Sequence, residues 1–167
     1  MSDGPNGARG ESYVSGITAA CFPCSTCVGA TFDVDKAYRL GKEIARETIT
    51  KSAKVLLAPT MNIIRSPLGG RNYETFSEDP YVIRTLGAAF VNGCQSQGIA
   101  ATPKHFVAND LEKRRTKMTS QIDEQNLREI YMLPFQLVMR DSYPWCFMTS
   151  YNRLNREYYA NSLRRTL

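Results

Sequence analysis

The residues of this chain best suited to chemistry sit in four separated places. Arg71 lies within Pro67-Leu-Gly-Gly-Arg-Asn-Tyr-Glu-Thr-Phe-Ser-Glu-Asp-Pro80, and Lys104-His105-Phe106 begins 33 positions later. Asp3 and Arg9 belong to Ser2-Asp-Gly-Pro-Asn-Gly-Ala-Arg9, while Met148-Thr-Ser-Tyr-Asn152 lies near the other end. A lysine beside an apolar strand is costly to bury without a partner, so Lys104 calls for a purpose. Arginine, lysine and imidazole can donate to neighbouring hydroxyls, and a carboxylate such as Asp3 can accept from two of them. Charged partners make the stronger hydrogen bonds. The set is suited to a polyhydroxylated ligand.

Such side chains must be brought together by regular elements. Short β-favouring runs at Ala19 to Phe22, Val55 to Pro59, Ile99 to His105 and Trp145 to Tyr151 alternate with helical patterns. That alternation predicts a parallel sheet with crossover helices. Asp33 and Asp35 precede a helix to about Ala53, with Ala37, Leu40, Ile44, Ala45 and Ile49 on one face. Asp79-Pro80 reads as a helix start and Gly98 as the residue past its end. A third helix, from about Asp123 to Arg140, carries Leu127, Ile130, Tyr131, Leu137 and Val138 as its stripe, with Pro134 bending or dividing it. Three of the strands lead directly into Arg71, Lys104-His105 and Tyr151, which places these residues on one rim. Residues 1–167 read as one partial domain.

With 167 residues and 43% apolar content, the chain can bury a substantial core. Its net charge is +5, but the cluster Lys113-Arg114-Arg115 with Lys117 lies beside Glu112, Asp123 and Glu124, and no aromatic platform is interleaved with it or with Arg164-Arg165. A solvated face is expected, with no nucleic-acid partner. No apolar run approaches the roughly 18 residues of a membrane span, and Met1 opens on a polar turn rather than a leader. Five cysteines and no Asn-x-Ser/Thr acceptor lean toward a reducing, cytoplasmic compartment for the chain as it stands, although an export signal would be lost with a missing N-terminus.

Other combinations carry less. Cys21-x-x-Cys24-x-x-Cys27 resembles part of an iron-sulfur motif, but position 31 is threonine, so no metal is expected. Ser25 and Ser150 lack a nucleophile-elbow sequence that would pair them with His105. Asn109-Asp110-Leu-Glu112 is expected to organise its loop, pairing with Arg114 or Arg115, and Asp110 is the carboxylate nearest the rim.

The order of these motifs resembles the first domain of glycoside hydrolase family 3, the β-glucosidase type, over nearly the whole chain. The resemblance implies an α/β fold, a partial (β/α)8 TIM-like barrel truncated at both ends, since a complete barrel takes about 250 residues. It implies that Asp3, Arg9, Arg71, Lys104, His105, Met148 and Tyr151 line a pocket for the terminal sugar of a β-glucoside or short β-glucan. No cofactor is implied. The family hydrolyses with retention through an aspartate nucleophile, expected beyond Leu167, and a glutamate acid/base from a second domain. No catalytic residue is therefore expected in this chain, which alone would be inactive. A β-xylosidase or hexosaminidase relative and a non-catalytic carbohydrate-binding remnant are the alternatives. Open strand edges would favour oligomers. The family commonly has glycine where Arg156 stands, so the turn after Tyr151 is expected to differ.

Overall fold

A computed structural model of the chain describes residues 1–10 and 18–158. Strand β1 (Ser2–Asp3) is followed by helices α1 (Ser25–Gly29) and α2 (Val34–Thr50), then by strand β2 (Val55–Leu57). A 3-10 turn at Asn72–Glu74 precedes helix α3 (Pro80–Gln95) and strands β3 (Ala100–Ala101), β4 (Lys104–Phe106) and β5 (Thr119–Ser120). The short helix α4 (Glu124–Asn126), a π-helical turn (Leu127–Met132) and helix α5 (Leu133–Ser142) come next, and strands β6 (Met148–Thr149), β7 (Arg153–Leu154) and β8 (Glu157–Tyr158) complete the order.

Parallel pairing dominates, as the alternation predicted. β1, β2 and β3 form one parallel sheet in that order, with Asp3 opposite Leu57 and Leu56 opposite Ala101. β4 pairs with β6, and Thr60 bridges both Lys104 and Thr75. β5 pairs with β7, which turns back antiparallel into β8.

The expected barrel arc is not continuous: the described strands form three small sheets and close no barrel. The run expected as one strand from Ile99 to His105 is divided between two sheets. Pro103 has no N–H to give a ladder and stands at the break. Only Met148–Thr149 of the Trp145–Tyr151 run is strand.

The Ala19–Phe22 strand does not form either. This segment is irregular and mostly exposed. Its backbone is held from outside, with Ala20 N–H donating to Glu47 Oε1 at 2.6 Å and Phe22 N–H to the Asn6 carbonyl at 2.9 Å. The second oxygen of Glu47 accepts from Ala8 N–H at 2.9 Å.

The helices follow their sequence signals more closely. Asp33 caps α2 by accepting from Lys36 N–H, and Asp79 caps α3 with Pro80 at the first helical position. Gly98 takes the left-handed conformation, φ +73°, just past α3. On α2 the buried face includes Ala37, Leu40, Ile44 and Ala45 but ends at Thr48; Ile49 is exposed. Thr48 tolerates burial because its hydroxyl donates to the Ile44 carbonyl at 2.8 Å. α2 and α3 cross through glycines, since a Cβ on Gly41 would stand 2.2 Å from the Phe90 carbonyl oxygen and one on Gly93 2.0 Å from that of Tyr38.

Pro134 divides the third helix as expected, and the device is a π turn immediately before it. The wider turn shifts the register, so the buried side chains are Leu127, Tyr131, Met132, Phe135 and Val138, while Ile130 and Leu137 are only partly covered. Asp141 ties α5 to α3 through Arg84.

Candidate functional site

Lys104 is the buried charge around which the rim is organised. It opens β4, retains 2% of its side-chain surface, and places Nζ 2.8 Å from Asp3 Oδ1 at the end of β1. The other Asp3 oxygen accepts from Arg9 Nη2 at 3.3 Å. Asp3 itself keeps a third of its side-chain surface, so it can compensate Lys104 and still face solvent.

Arg71 is held just as firmly. Its Nε and Nη2 reach the two oxygens of Glu74 at 2.6 and 2.7 Å, the parallel fork that suits guanidinium and carboxylate. Glu74 is buried and also accepts from the Thr60 hydroxyl at 3.3 Å. Burial acts against the Arg71 charge, but Glu74, Glu112 and Asp3 outweigh it and hold the guanidinium above its ordinary value.

From Arg71 the charges continue outward. Glu112 stands 3.7 Å from Arg71, 2.9 Å from Arg115 and 2.8 Å from the Asn109 amide. Arg115 in turn lies over the Tyr151 ring, 4.8 Å from its centre. The predicted ordering role of Glu112 is therefore observed, with Arg115 and not Arg114 as its partner.

His105 is buried and locked by Asn62. The Asn62 amide donates to the His105 carbonyl at 3.0 Å, while its oxygen accepts from His105 N–H at 3.0 Å and lies 3.2 Å from ring Nδ1. Burial, reinforced by Arg71, Lys104 and Arg115, pushes the imidazole down to about 2. The ring is neutral at physiological pH.

His105 and Arg71 line one small cavity of about 10 Å³ together with Thr60, Asn62, Thr75 and Asp110. Burial pushes the Asp110 carboxyl up to about 7, against the opposing pull of Arg65 and the Ile63 N–H. Asp110 is the predicted carboxylate nearest the rim, and at neutral pH it is partly protonated.

The structure thus joins Asp3, Arg9 and Lys104 by direct contacts and sets Arg71 and His105 on one cavity. Met148 pairs with Lys104 across β4 and β6 and is half-buried. Tyr151 is 56% exposed and reaches the group through Arg115. Sequence reasoning did not single out Glu74 or Asn62. Glu74 had a local signal, three positions after Arg71 on a tight turn; Asn62 meets His105 across 43 positions and had none. The cysteines at 21, 24, 27, 94 and 146 are all free, and no group of metal-binding side chains occurs among the described residues. Arg164-Arg165 lies outside the described residues.

Residues 8–165 match the sequence pattern of the glycosyl hydrolase family 3 N terminal domain. The chain belongs to glycosyl hydrolase family 3. Within the family it is 51% identical over 154 residues to β-glucosidase B of Emericella nidulans, covering 92% of this chain and 18% of that protein. It is 48% identical over 162 residues to a β-glucosidase of Kluyveromyces marxianus, covering 97% of this chain and 19% of the relative. A structure of the Kluyveromyces marxianus enzyme in complex with glucose superposes with a TM-score of 0.92 at 49% identity, over 94% of this chain and 19% of the enzyme. β-Glucosidase 3B of Thermotoga neapolitana, also in complex with glucose, gives 0.88 at 39% identity over 94% of this chain and 22% of that one. The family 3 chain described here spans about a fifth of the length of these relatives. No helix among its described residues is long and apolar enough to cross a membrane.

Proposed function

We propose that this family 3 chain supplies the sugar-binding part of a β-glucosidase that releases terminal, non-reducing β-D-glucosyl units with retention. The observation that carries the reading is Lys104, a cation buried at a strand end and compensated by a carboxylate that still faces solvent. A structural ion pair needs neither the solvent-facing surface of Asp3 nor the neighbouring Arg71 and His105. A ring of donors and acceptors around one hexose uses all of them. In this proposal Asp3, Arg71, Lys104 and His105 hold the sugar hydroxyls, Arg9 steadies Asp3, and Met148 and Tyr151 complete the wall.

On the same reading, residues 1–167 are one portion of a single domain, and their parallel strands are an arc of a (β/α)8 barrel. A retaining mechanism needs two carboxyl groups about 5 to 5.5 Å apart, one to attack the anomeric carbon and one to protonate the departing oxygen. Asp3, Glu74 and Glu112 are each engaged by cations, and Asp110 is partly protonated near neutrality. The proposal therefore assigns nucleophile and acid/base to other parts of a full-length family member, with binding and orientation to this chain.

Ligand-observed NMR with methyl β-D-glucoside tests the assignment. Saturable binding to the chain that Lys104→Ala abolishes supports it; no binding, or binding unaffected by Lys104→Ala, refutes it. An assay with an aryl β-glucoside should show no turnover by the chain alone.

A further inference from the structure

Asn62 is nearly fully buried and makes three contacts to a single residue. Two of them fix its orientation. The His105 backbone N–H can only donate, so the atom it meets at 3.0 Å must be the Asn62 oxygen. The His105 carbonyl can only accept, so the atom it meets at 3.0 Å must be the Asn62 amide nitrogen. An amide flip would break both bonds at once, so the usual ambiguity of an asparagine side chain is resolved here.

That orientation decides the third contact. Nδ1 of His105 lies 3.2 Å from the same Asn62 oxygen, which has no proton to offer. Two lone pairs facing each other would repel, so the proton must be on Nδ1. A neutral imidazole carries one proton, which leaves Nε2 as an acceptor. Around the ring stand Arg71, Lys104 and Arg115, all cationic, and these oppose a second proton. Among the described residues no donor reaches Nε2.

We propose that Asn62 is a positioning residue that holds His105 as the Nδ1-protonated tautomer, so that Nε2 accepts a hydrogen bond from a ligand hydroxyl. The tautomer follows from the protein alone; the hydroxyl partner rests on the carbohydrate reading above. The consequence is a division of labour. Arg71 and Lys104 offer only protons, Asp3 only lone pairs, and His105 joins Asp3 on the accepting side. A hydroxyl shared between His105 and one of the cations must donate and accept together. An alcohol can do both, whereas an ether or a fluoro substituent at that position cannot donate.

His105 is the single histidine of the chain, so one labelled residue gives one set of ring signals. Long-range 1H–15N correlation on the histidine-labelled chain should show a protonated, pyrrole-like Nδ1 and an unprotonated, pyridine-like Nε2, unchanged from pH 8 down to about pH 5. A proton on Nε2, or titration near the ordinary value of 6.5, overturns the assignment. Asn62→Asp keeps an acceptor oxygen but adds a negative charge, so the ring should then titrate within the accessible range. Unaltered titration in Asn62→Asp removes Asn62 from the role. Methyl β-D-glucoside should move the Nε2 signal while Nδ1 stays protonated. If Nε2 does not respond and the tautomer persists, the hydroxyl-acceptor half of the proposal falls with the carbohydrate reading, and the tautomer assignment stands.

Discussion

Lys104 Nζ lies 2.8 Å from Asp3 Oδ1, joining residues 101 positions apart at the end of β1 and the start of β4. The two partners are unequally buried, at 2% and 33% of side-chain surface. Removing one is therefore not equivalent to removing the other.

Asp3→Ala leaves a buried ammonium with no counter-charge and should cost about 3–5 kcal/mol. Lys104→Met fills the same space without charge, and the Asp3 left behind can turn to water and Arg9. Its cost should be about 1 kcal/mol or less. Denaturant midpoints measured on both variants check the order, and equal losses would show that Asp3 does not compensate Lys104.

Glu74→Gln should loosen Arg71 without unfolding the chain. The substitution is isosteric and keeps one acceptor for the guanidinium, but it removes the second oxygen of the fork. A loss of about 1–3 kcal/mol is expected from a buried charge-assisted pair. The more specific result is functional: in the sugar-binding assay Glu74→Gln should weaken methyl β-D-glucoside about tenfold or more, and Glu74→Asp should not restore it, because its shorter arm cannot reach both nitrogens.

The pH dependence of stability should be nearly flat where two buried groups oppose each other. His105 binds its proton at about 2 in the folded chain and near 6.5 in the unfolded one, so stability is lost as pH falls below 6.5. Asp110 titrates at about 7 when folded and near 3.8 when unfolded, so its contribution is present below 3.8 and lost as pH rises toward 7. Between 3.8 and 6.5 the slopes cancel. Asp110→Asn should expose the His105 slope, giving a chain that weakens on acidification from pH 6.5. Urea midpoints across pH 4 to 8 check this. The slope should stay below the one-proton limit of about 1.4 kcal/mol per pH unit, because water reaching the partly exposed ring of groups around the cavity softens the burial.

Arg156→Gly should stabilise the chain. Asn155 and Arg156 connect β7 to β8 with φ of +48° and +77°. This is the two-residue hairpin loop that favours asparagine followed by glycine. Arg156 thus occupies a left-handed backbone position of the kind glycine favours. The left-handed conformation costs a side-chain-bearing residue about 1–2 kcal/mol, and part of that is offset by the greater freedom glycine has when unfolded. A gain of about 1 kcal/mol in thermal or urea unfolding is expected; a loss would mean the arginine side chain contributes more than its backbone costs.

The parts of the fold that could be read in advance are those fixed by neighbours in sequence. Asp33, Asp79-Pro80 and Gly98 mark helix boundaries because caps and left-handed turns are made within a few residues. Lys104 could be singled out because burying a lysine carries an energetic requirement whatever its partner. The sheet boundaries could not be read the same way. Pro103 marks a weak point in the run from Ile99 to His105, but that its two halves, Ala100–Ala101 and Lys104–Phe106, join different sheets is set by tertiary pairing. The shift from Ile49 to Thr48 on α2, and from Leu137 to Phe135 after the π turn, has the same origin: local periodicity gives the stripe, and packing sets its edge. Asn62 escaped because its meaning lies wholly in the residue it faces.

Glu47 ties the start of the chain to α2. One carboxylate on α2 grips the backbone at Ala8 with one oxygen and at Ala20 with the other. Two backbone segments are thereby referenced to a single helix, one of them just beyond Asp3. A displacement of α2 would be transmitted through this carboxylate to the chain beside the charged rim, so the helix and the rim are set to move as one body.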